Sequence, residues 1–279
     1  MNIRKIIKNV YASWELNTFK TLGEPEEPLF EEPLVGVAAG DDEYFKFLKR
    51  HIGEFHWTPM EAFALKYKEE VNPSQLRVIS MVFPQNDISK KEQNSATIFP
   101  CDHWVVSRGE WEPLMQEFSG KLVAELEKEG YEAVSIDLQP QWKKQISENQ
   151  GLASYWSHRH YAYAAGMGTF GLSDGFISER GKAIRITSLI IKADIPITPR
   201  GDRKPYDWCL FYRDGSCGAC IKRCSVDAIS KERGHNKNIC AAYEDEAIEK
   251  YWPKHIERGD YIFGCGLCQS KVPCQNKRL

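Results

Sequence analysis

The sequence lacks a hydrophobic run long enough to span a bilayer, and it lacks a strong charge of either sign. Lysine and arginine number 37 against 39 aspartate and glutamate, which gives a formal net charge of -2. A chain this close to neutral offers no general electrostatic attraction for nucleic acid. Residues 1–15 are basic but have neither the apolar core nor the small-residue cleavage site of a secretory signal. We therefore expect a cytoplasmic protein with no membrane partner.

Cysteine is nearly absent from the first part of the chain and dense in the last. Of the nine cysteines, only Cys101 precedes residue 209. A reducing cytoplasm disfavours disulfides between the others. Their spacing contains two C-x2-C pairs flanked by further cysteines, which is typical of two 4Fe–4S clusters. The eight candidate ligands are Cys209, Cys217, Cys220, Cys224, Cys240, Cys265, Cys268 and Cys274.

Eight thiolates divide evenly between two four-iron clusters. In two-cluster ferredoxins the cysteine that ends the C-x2-C-x3-C run binds the other cluster. The same crossover predicts a first set made of Cys209, Cys217, Cys220 and Cys274. It predicts a second set made of Cys224, Cys240, Cys265 and Cys268. Structural zinc in the two C-x2-C pairs is the alternative, although it leaves four cysteines unexplained.

Hydrophobic periodicity in the first part of the chain predicts helices and strands in alternation. The pattern predicts helices over residues 43–52, 59–70, 111–128 and 154–165. It predicts strands over residues 76–83, 133–138 and 185–195, and a loop over the polar residues 88–97. We expect a mixed α/β domain over residues 1–200, followed by a small, loop-rich cluster domain over residues 201–279.

A glycine-rich stretch follows the fourth predicted helix. Three glycines within six residues allow the backbone to approach a ligand closely, although a tight turn alone has the same composition. Polar groups for a cofactor follow directly after the stretch. The predicted cofactor-binding residues are Gly166, Gly168, Phe170, Gly171, Ser173 and Asp174.

Histidine and tyrosine side chains lie just before these glycines. A reduction needs a proton donor with an accessible pKa, and these two residue types can supply one. Among His158, His160, Tyr161 and Tyr163, we predict His160 and Tyr163 as the catalytic residues. Cys101 has a histidine two positions away, but no group that would orient a nucleophilic pair, so a buried free thiol is expected there.

Several motifs resemble epoxyqueuosine reductase and the reductive dehalogenases. The stretch 164–171 resembles their AGLGxxG motif, and residues 176–178, 194–197, 217–220 and 261–268 extend the resemblance. This resemblance implies a nitroreductase-like α/β domain that binds cobalamin, followed by a bacterial two-cluster ferredoxin-like domain. It further implies an oxidoreductase in which electrons pass through both clusters to the cobalt, with ferredoxin or flavodoxin as the donor.

Two departures from that family bear on the substrate. The aspartate that epoxyqueuosine reductase carries ahead of its glycine motif corresponds to Leu152 and Ala153 here, and the C-terminal extension used for tRNA is missing. We therefore expect a cobalamin-dependent reductase of a small molecule, and we do not expect tRNA as a partner. One alternative is an electron-transfer protein that reduces a corrinoid protein or another redox partner. A flavin in place of cobalamin is the weaker alternative.

Overall fold

The computed structural model describes residues 2–251 and 264–279, which form helices around a central antiparallel sheet. The strands are β1 Leu34–Ala39, β2 Leu76–Pro84, β3 Glu132–Ser135, β4 Lys144–Ser147, β5 Gly151–Ser154, β6 Gly168–Phe170, β7 Phe176–Ser178, β8 Ile184–Lys192, β9 Ile229–Ser230 and β10 Gly234–His235. The helices are α1 Ile3–Ala12, α2 Glu43–Ile52, α3 Pro59–Tyr67, α4 Asp87–Ser95, α5 Asp102–Gly109, α6 Trp111–Lys128, α7 His158–Ala164, α8 Leu210–Asp214, α9 Ala219–Arg223 and α10 Lys237–Tyr251.

The central sheet has four strands in the order β1-β2-β8-β3, and every neighbouring pair is antiparallel. The smaller pairs are β4 with β5, β6 with β7 and β9 with β10. Strands β2 and β8 pair along their full nine-residue lengths, from Leu76 opposite Lys192 to Pro84 opposite Ile184. The sheet therefore forms the centre of the first part of the chain, and the first residues of β8 lie at the candidate site.

Helices cover both faces of this sheet. Successive side chains on a strand point to opposite faces, so Ile79 and Phe83 pack with α1 and α6 while Val78 and Val82 pack with α2, α3 and α7. Both layers are closely packed, since Phe83 and Val82 are fully buried. This arrangement confirms the mixed α/β architecture; its nitroreductase-like character stays a prediction. In the part of the chain that the structure describes, no helix is both long enough and apolar enough to cross a membrane.

Local sequence signals predicted several elements correctly. Helix α6 has the predicted bounds, Asp42 caps α2, and Thr58 with Glu61 forms the capping box that begins α3. The predicted loop over residues 88–97 is wrong, because helix α4 occupies most of it. Its buried positions are polar, which hides the helical periodicity that a hydrophobic pattern would show.

Helix α4 is the element on which the cysteine-rich part packs. Gln93 of α4 donates to the Cys265 carbonyl (2.8 Å) and accepts from the Cys101 amide (2.9 Å). The Arg223 guanidinium donates to the carbonyls of Gln93 and Ala96 of the first part and to those of Leu267 and Ser270 in the second. The chain near Cys274 also pairs with the start of β8, as Lys182 N donates to the Cys274 carbonyl at 2.8 Å. These contacts hold the cysteine motif against the sheet; the domain boundary at residue 200 stays a prediction.

Candidate functional site

The eight cysteines of the second part surround two separate cavities. Cys209, Cys217, Cys220 and Cys274 line the first cavity. Cys224, Cys240, Cys265 and Cys268 line the second. These two groups have the same members as the first and second sets that were predicted from the ligand pattern of two-cluster ferredoxins. Helix α9 separates them, because Cys220 lies within the helix and Cys224 follows its last residue.

The thiols within each set are close enough to influence one another. Burial, together with the charges of Cys268 and Cys224, raises the pKa of Cys265 to about 12. Burial likewise raises the pKa of Cys274, with Cys209 and Cys217 adding to the effect and Lys182 opposing it. Four thiolates crowded into a desolvated cavity repel each other, so they need a bound cation or a metal cluster to be stable as ligands.

The arrangement fits polynuclear clusters better than single zinc ions. A zinc ion holds four ligand atoms at about 2.3 Å from one point. Within residues 2–251 and 264–279, no group of three histidine, cysteine, aspartate or glutamate side chains is arranged to hold a single metal ion. Each set instead encloses a cavity, as the corners of an iron–sulfur cube require.

Lys182 is a buried cation between the two sets. Its side chain is 2% exposed, and it lines both the first cysteine cavity and the large cavity described below. Burial by itself lowers its pKa, but the thiolates of both sets, led by Cys268 and Cys274, raise it above the usual value. Its Nζ donates to the Ser173 hydroxyl. Lys182 therefore compensates negative charge from both cysteine sets.

A large open cavity of about 510 Å³ adjoins the second cysteine set. Cys240 lines both this cavity and the second cysteine cavity, so a cluster held there would lie against the wall of the large cavity. Trp142 and Trp156 form part of the wall, and the charged residues Arg159 and Lys237 form another part. The cavity can therefore hold a large group with flat and polar surfaces next to a redox centre.

A smaller cavity of about 300 Å³, distinct from the two cysteine cavities, shares part of its wall with the large one. Arg108, Trp111, Trp142 and His158 line both, which places these four side chains where the cavities meet. The rest of the smaller cavity is lined by Glu112 and Gln116 of α6 and by Asp137 of the 3-10 helix Ile136–Leu138. A substrate in the smaller cavity would face a cofactor in the larger one.

His158 is the histidine at this junction. Its Nδ1 lies 2.8 Å from the Ser188 hydroxyl, and its Nε2 lies 3.7 Å from Asp137 Oδ1. Burial lowers the pKa of His158, while the Asp137 carboxylate opposes that shift. Asp137 is itself fixed by the Thr187 hydroxyl. The pair can hold a proton at the junction and orient it towards the cavities.

The two predicted catalytic residues lie elsewhere on the same helix. His160 Nδ1 is 2.8 Å from the Ser157 hydroxyl, and its ring packs near Phe170. Burial lowers the pKa of His160 well below its usual value. The Tyr163 hydroxyl donates to the Arg203 carbonyl at 2.6 Å. Among the described walls of the two joined cavities, neither side chain takes part, so their catalytic role stays a prediction.

The glycine-rich stretch packs mainly against backbone. A Cβ on Gly166 would lie 2.7 Å from the Pro199 carbonyl oxygen, and one on Gly168 would lie 2.1 Å from that of Ile177. Both glycines thus permit close internal packing, which favours the tight-turn interpretation.

The remaining predicted cofactor residues divide between several places. Gly171 lines the first cysteine cavity, Ser173 lines the second, and Asp174 lines the large cavity. Phe170 lies between His160 and Phe176. Their role as cofactor ligands stays a prediction, and Asp174 is the member best placed for it.

Sequence reasoning missed the charged side chains that surround these cavities. Arg185 lies at the beginning of the largely buried strand β8 and Lys182 two residues before it, where charged residues are uncommon unless they have a specific partner. That anomaly was the available signal. Asp137 carried no such signal, because its position follows a short strand and resembles an ordinary turn.

Comparison with known proteins agrees with these features. Residues 214–275 match a family model described as a 4Fe-4S double cluster binding domain. An epoxyqueuosine reductase from Leadbetterella byssophila is 29% identical over 116 residues, which is 40% of this chain and 35% of that protein. The structure of epoxyqueuosine reductase from Streptococcus thermophilus aligns with 100% of this chain and 68% of its own, at 16% identity and a TM-score of 0.50.

One comparison corrects an expectation drawn from the sequence. Epoxyqueuosine reductase has been solved with an epoxyqueuosine-modified tRNA-Tyr stem loop, and that structure covers 100% of this chain at 13% identity and a TM-score of 0.46. The protein in that complex is an epoxyqueuosine reductase, and this chain is similar to epoxyqueuosine reductases in sequence and in fold. The exclusion of tRNA as a partner is therefore wrong. The chain is related to epoxyqueuosine reductase, has its fold, and carries a 4Fe-4S double cluster binding domain over residues 214–275.

Proposed function

We propose that the protein is an iron–sulfur oxidoreductase that delivers electrons through two 4Fe–4S clusters to a corrinoid, which reduces a substrate in the adjoining cavity. The observation that carries this proposal is the position of Cys240, which lines both the second cysteine cavity and the large cavity. A cluster held by the second set would thus be in contact distance of whatever the large cavity binds. Ferredoxin or flavodoxin would supply the electrons from outside.

The wall of the large cavity fits a corrinoid in its chemistry. The partly exposed Trp142 suits a flat macrocycle, and Arg159, Asp174 and Lys237 offer charged groups for its amide side chains. A bound corrinoid would supply a cobalt centre able to carry electrons from the clusters. The cysteine sets suit their clusters for the reasons given above, with Lys182 compensating charge between them.

His158 is the residue best placed to supply the proton that a reduction consumes. Its Nε2 faces Asp137 at 3.7 Å, and Ser188 fixes the other ring nitrogen. Asp137 favours the protonated ring, while burial favours the neutral one, so the ring can both hold and release a proton. His158 lines both joined cavities and could therefore transfer the proton to a substrate in the smaller one.

The substrate of the related enzyme is the first one to test. Epoxyqueuosine in tRNA is a candidate because the chain resembles epoxyqueuosine reductase in sequence and fold. The small-molecule substrate expected from the sequence is the other candidate. In either case the reacting group has to enter the junction next to His158.

The proposal is tested with anaerobically reconstituted protein, hydroxocobalamin and a reduced flavodoxin. We expect the corrinoid spectrum to co-elute with the clusters in gel filtration, and an epoxyqueuosine-containing tRNA stem loop to be reduced. His158→Gln should lower turnover at least tenfold, whereas the matched variant His160→Gln on the same helix should not. Clusters that transfer electrons only to an added corrinoid protein would instead favour the electron-transfer alternative. A yellow chromophore released on denaturation would favour a flavin.

A further inference from the structure

Two arginine side chains line the joined cavities. Arg108 belongs to the last turn of α5 and Arg185 to the beginning of β8. Arg108 lines both joined cavities, and Arg185 lines the large one. Burial, together with the nearby charge of Arg108, lowers the pKa of Arg185 to about 9. The protein thus holds two like charges together in a poorly solvated place.

Two carboxylates of the protein act on these guanidinium groups. Glu244 acts on both guanidinium groups, and Glu112 acts on Arg108. Arg185 donates from Nη1 to the Ile184 carbonyl at 3.1 Å. Its Nε is buried and, among the residues that the structure describes, has no hydrogen-bond partner. A buried donor without a partner is unfavourable, which marks Arg185 as an unusual residue in this wall.

Charge compensation of the two cysteine sets does not explain why Arg108 and Arg185 are present. The thiolates of both sets act on Lys182, and those of Cys265 and Cys268 act on Arg223. In the described part of the chain, the charges that act on Arg185 are those of Arg108 and Glu244. The cations that serve the clusters are therefore different residues. Arg108 and Arg185 instead line the joined cavities.

We propose that Arg108 and Arg185 form an oxyanion site that binds a carboxylate or phosphate group of the molecule held at the junction. The planar guanidinium groups can bind two oxygens of such a group at once, which a lysine pair could not do. The anion would relieve the repulsion between the arginines. This inference deepens the proposed function and rests on it, because the anion would come from the bound cofactor or from the substrate.

Inorganic phosphate probes the site without a corrinoid. We would measure the thermal midpoint of the cluster-loaded protein, under anaerobic conditions, across a phosphate titration at constant ionic strength. The wild type should be stabilised, and Arg185→Gln and Arg108→Gln should lose most of that response. Arg50→Gln is the matched control, because it removes the same charge from an exposed position on α2. Arg185→Lys keeps the charge and should retain part of the response.

A comparison of two corrinoids identifies the source of the anion. Cobalamin carries a phosphodiester in its nucleotide tail and cobinamide lacks it. If Arg108→Gln weakens cobalamin binding about tenfold but leaves cobinamide binding unchanged, the cofactor supplies the anion. If neither affinity changes while the phosphate response is lost, the substrate supplies it.

Some outcomes would overturn the oxyanion site. A wild-type protein that phosphate does not stabilise contradicts it, whether or not the variants fold. Equal stabilisation of the wild type, Arg50→Gln and both junction variants also contradicts it, since the anion would then bind elsewhere. Because this test involves no corrinoid, a protein that responds to phosphate but never retains cobalamin would refute the proposed cofactor and leave the anion site standing.

Discussion

Replacement of Gly266 by alanine tests how closely the second cysteine set packs against α5. Gly266 lies between Cys265 and Cys268 and has a φ of +63°, in the left-handed region. A Cβ there would lie 2.1 Å from Nε1 of Trp104, a side chain that is completely buried. Trp104 has no free space into which it can withdraw easily, so the loop or the indole has to move.

The expected cost has two parts. A residue other than glycine in the left-handed region costs about 1–2 kcal/mol. Overpacking against a buried side chain adds about 1–3 kcal/mol. The total is roughly 2–5 kcal/mol. With an unfolding entropy of about 2.1 cal/mol/K per residue, 3 kcal/mol lowers the melting temperature of a chain of this length by about 5 °C.

Gly215→Ala is the matched control for this variant. Gly215 also has a positive φ, +73°, lies in the cysteine-rich part, and has no atom within 4 Å of the Cβ position. It should show only the backbone cost, about 1–2 kcal/mol. Both variants are compared with the wild type by anaerobic thermal scans at one scan rate, and by iron content after gel filtration.

Gly266→Ala should lose iron from the second set and melt well below Gly215→Ala. Equal melting temperatures for the two variants, with equal iron content, would show that Trp104 does not constrain this loop. The close packing of the second cysteine set on α5 would then be refuted.

Three further predictions concern other parts of the molecule. Burial lowers the pKa of the fully enclosed His56 from the usual 6.5 to about 3, so between these pH values the unfolded chain binds a proton that the folded chain does not bind. The free energy of unfolding should therefore fall by about 1.4 kcal/mol per pH unit as the pH drops below 6.5. His56→Gln should flatten this pH dependence in urea titrations. Arg223→Lys replaces a guanidinium that contacts several carbonyls on both parts of the chain, and should cost about 2 kcal/mol in the same titrations, whereas Lys222→Arg should cost little. Cys220→Ser should lose about four iron atoms per chain while Cys101→Ser loses none, and equal iron in both variants would contradict the assignment of the first set.

The polar helix α4 shows where pattern reasoning fails. Its buried positions are Ser89, Lys90 and Gln93, because its inner face meets the carbonyl groups of the cysteine-rich part instead of an apolar core. Lys90 also pairs with Glu31 at 2.9 Å. A hydrophobic pattern detects only helices that bury apolar side chains, so the tertiary partner was needed to find this one.

The sequence by itself determined the elements with strong local causes. The spacing of eight cysteines around α9 sorts them into the sets that line two cavities, since the short helix separates Cys220 from Cys224. The stripe of apolar residues on α6 defined that helix from its first residue to its last. Both depend on neighbours in the chain, which the sequence contains.

Only the tertiary structure decided which side chains meet at the junction. His158 and His160 are two positions apart on α7 and therefore point about 200° apart around the helix. Their sequence contexts are alike, but the packing of α7 on the sheet turns His158 towards Asp137 and the cavities, and His160 towards Ser157 and Phe170. Contacts between residues far apart in the chain, such as that of the Arg185 guanidinium with the Trp104 ring at 5.6 Å, likewise exist only because the folded core brings β8 and α5 together.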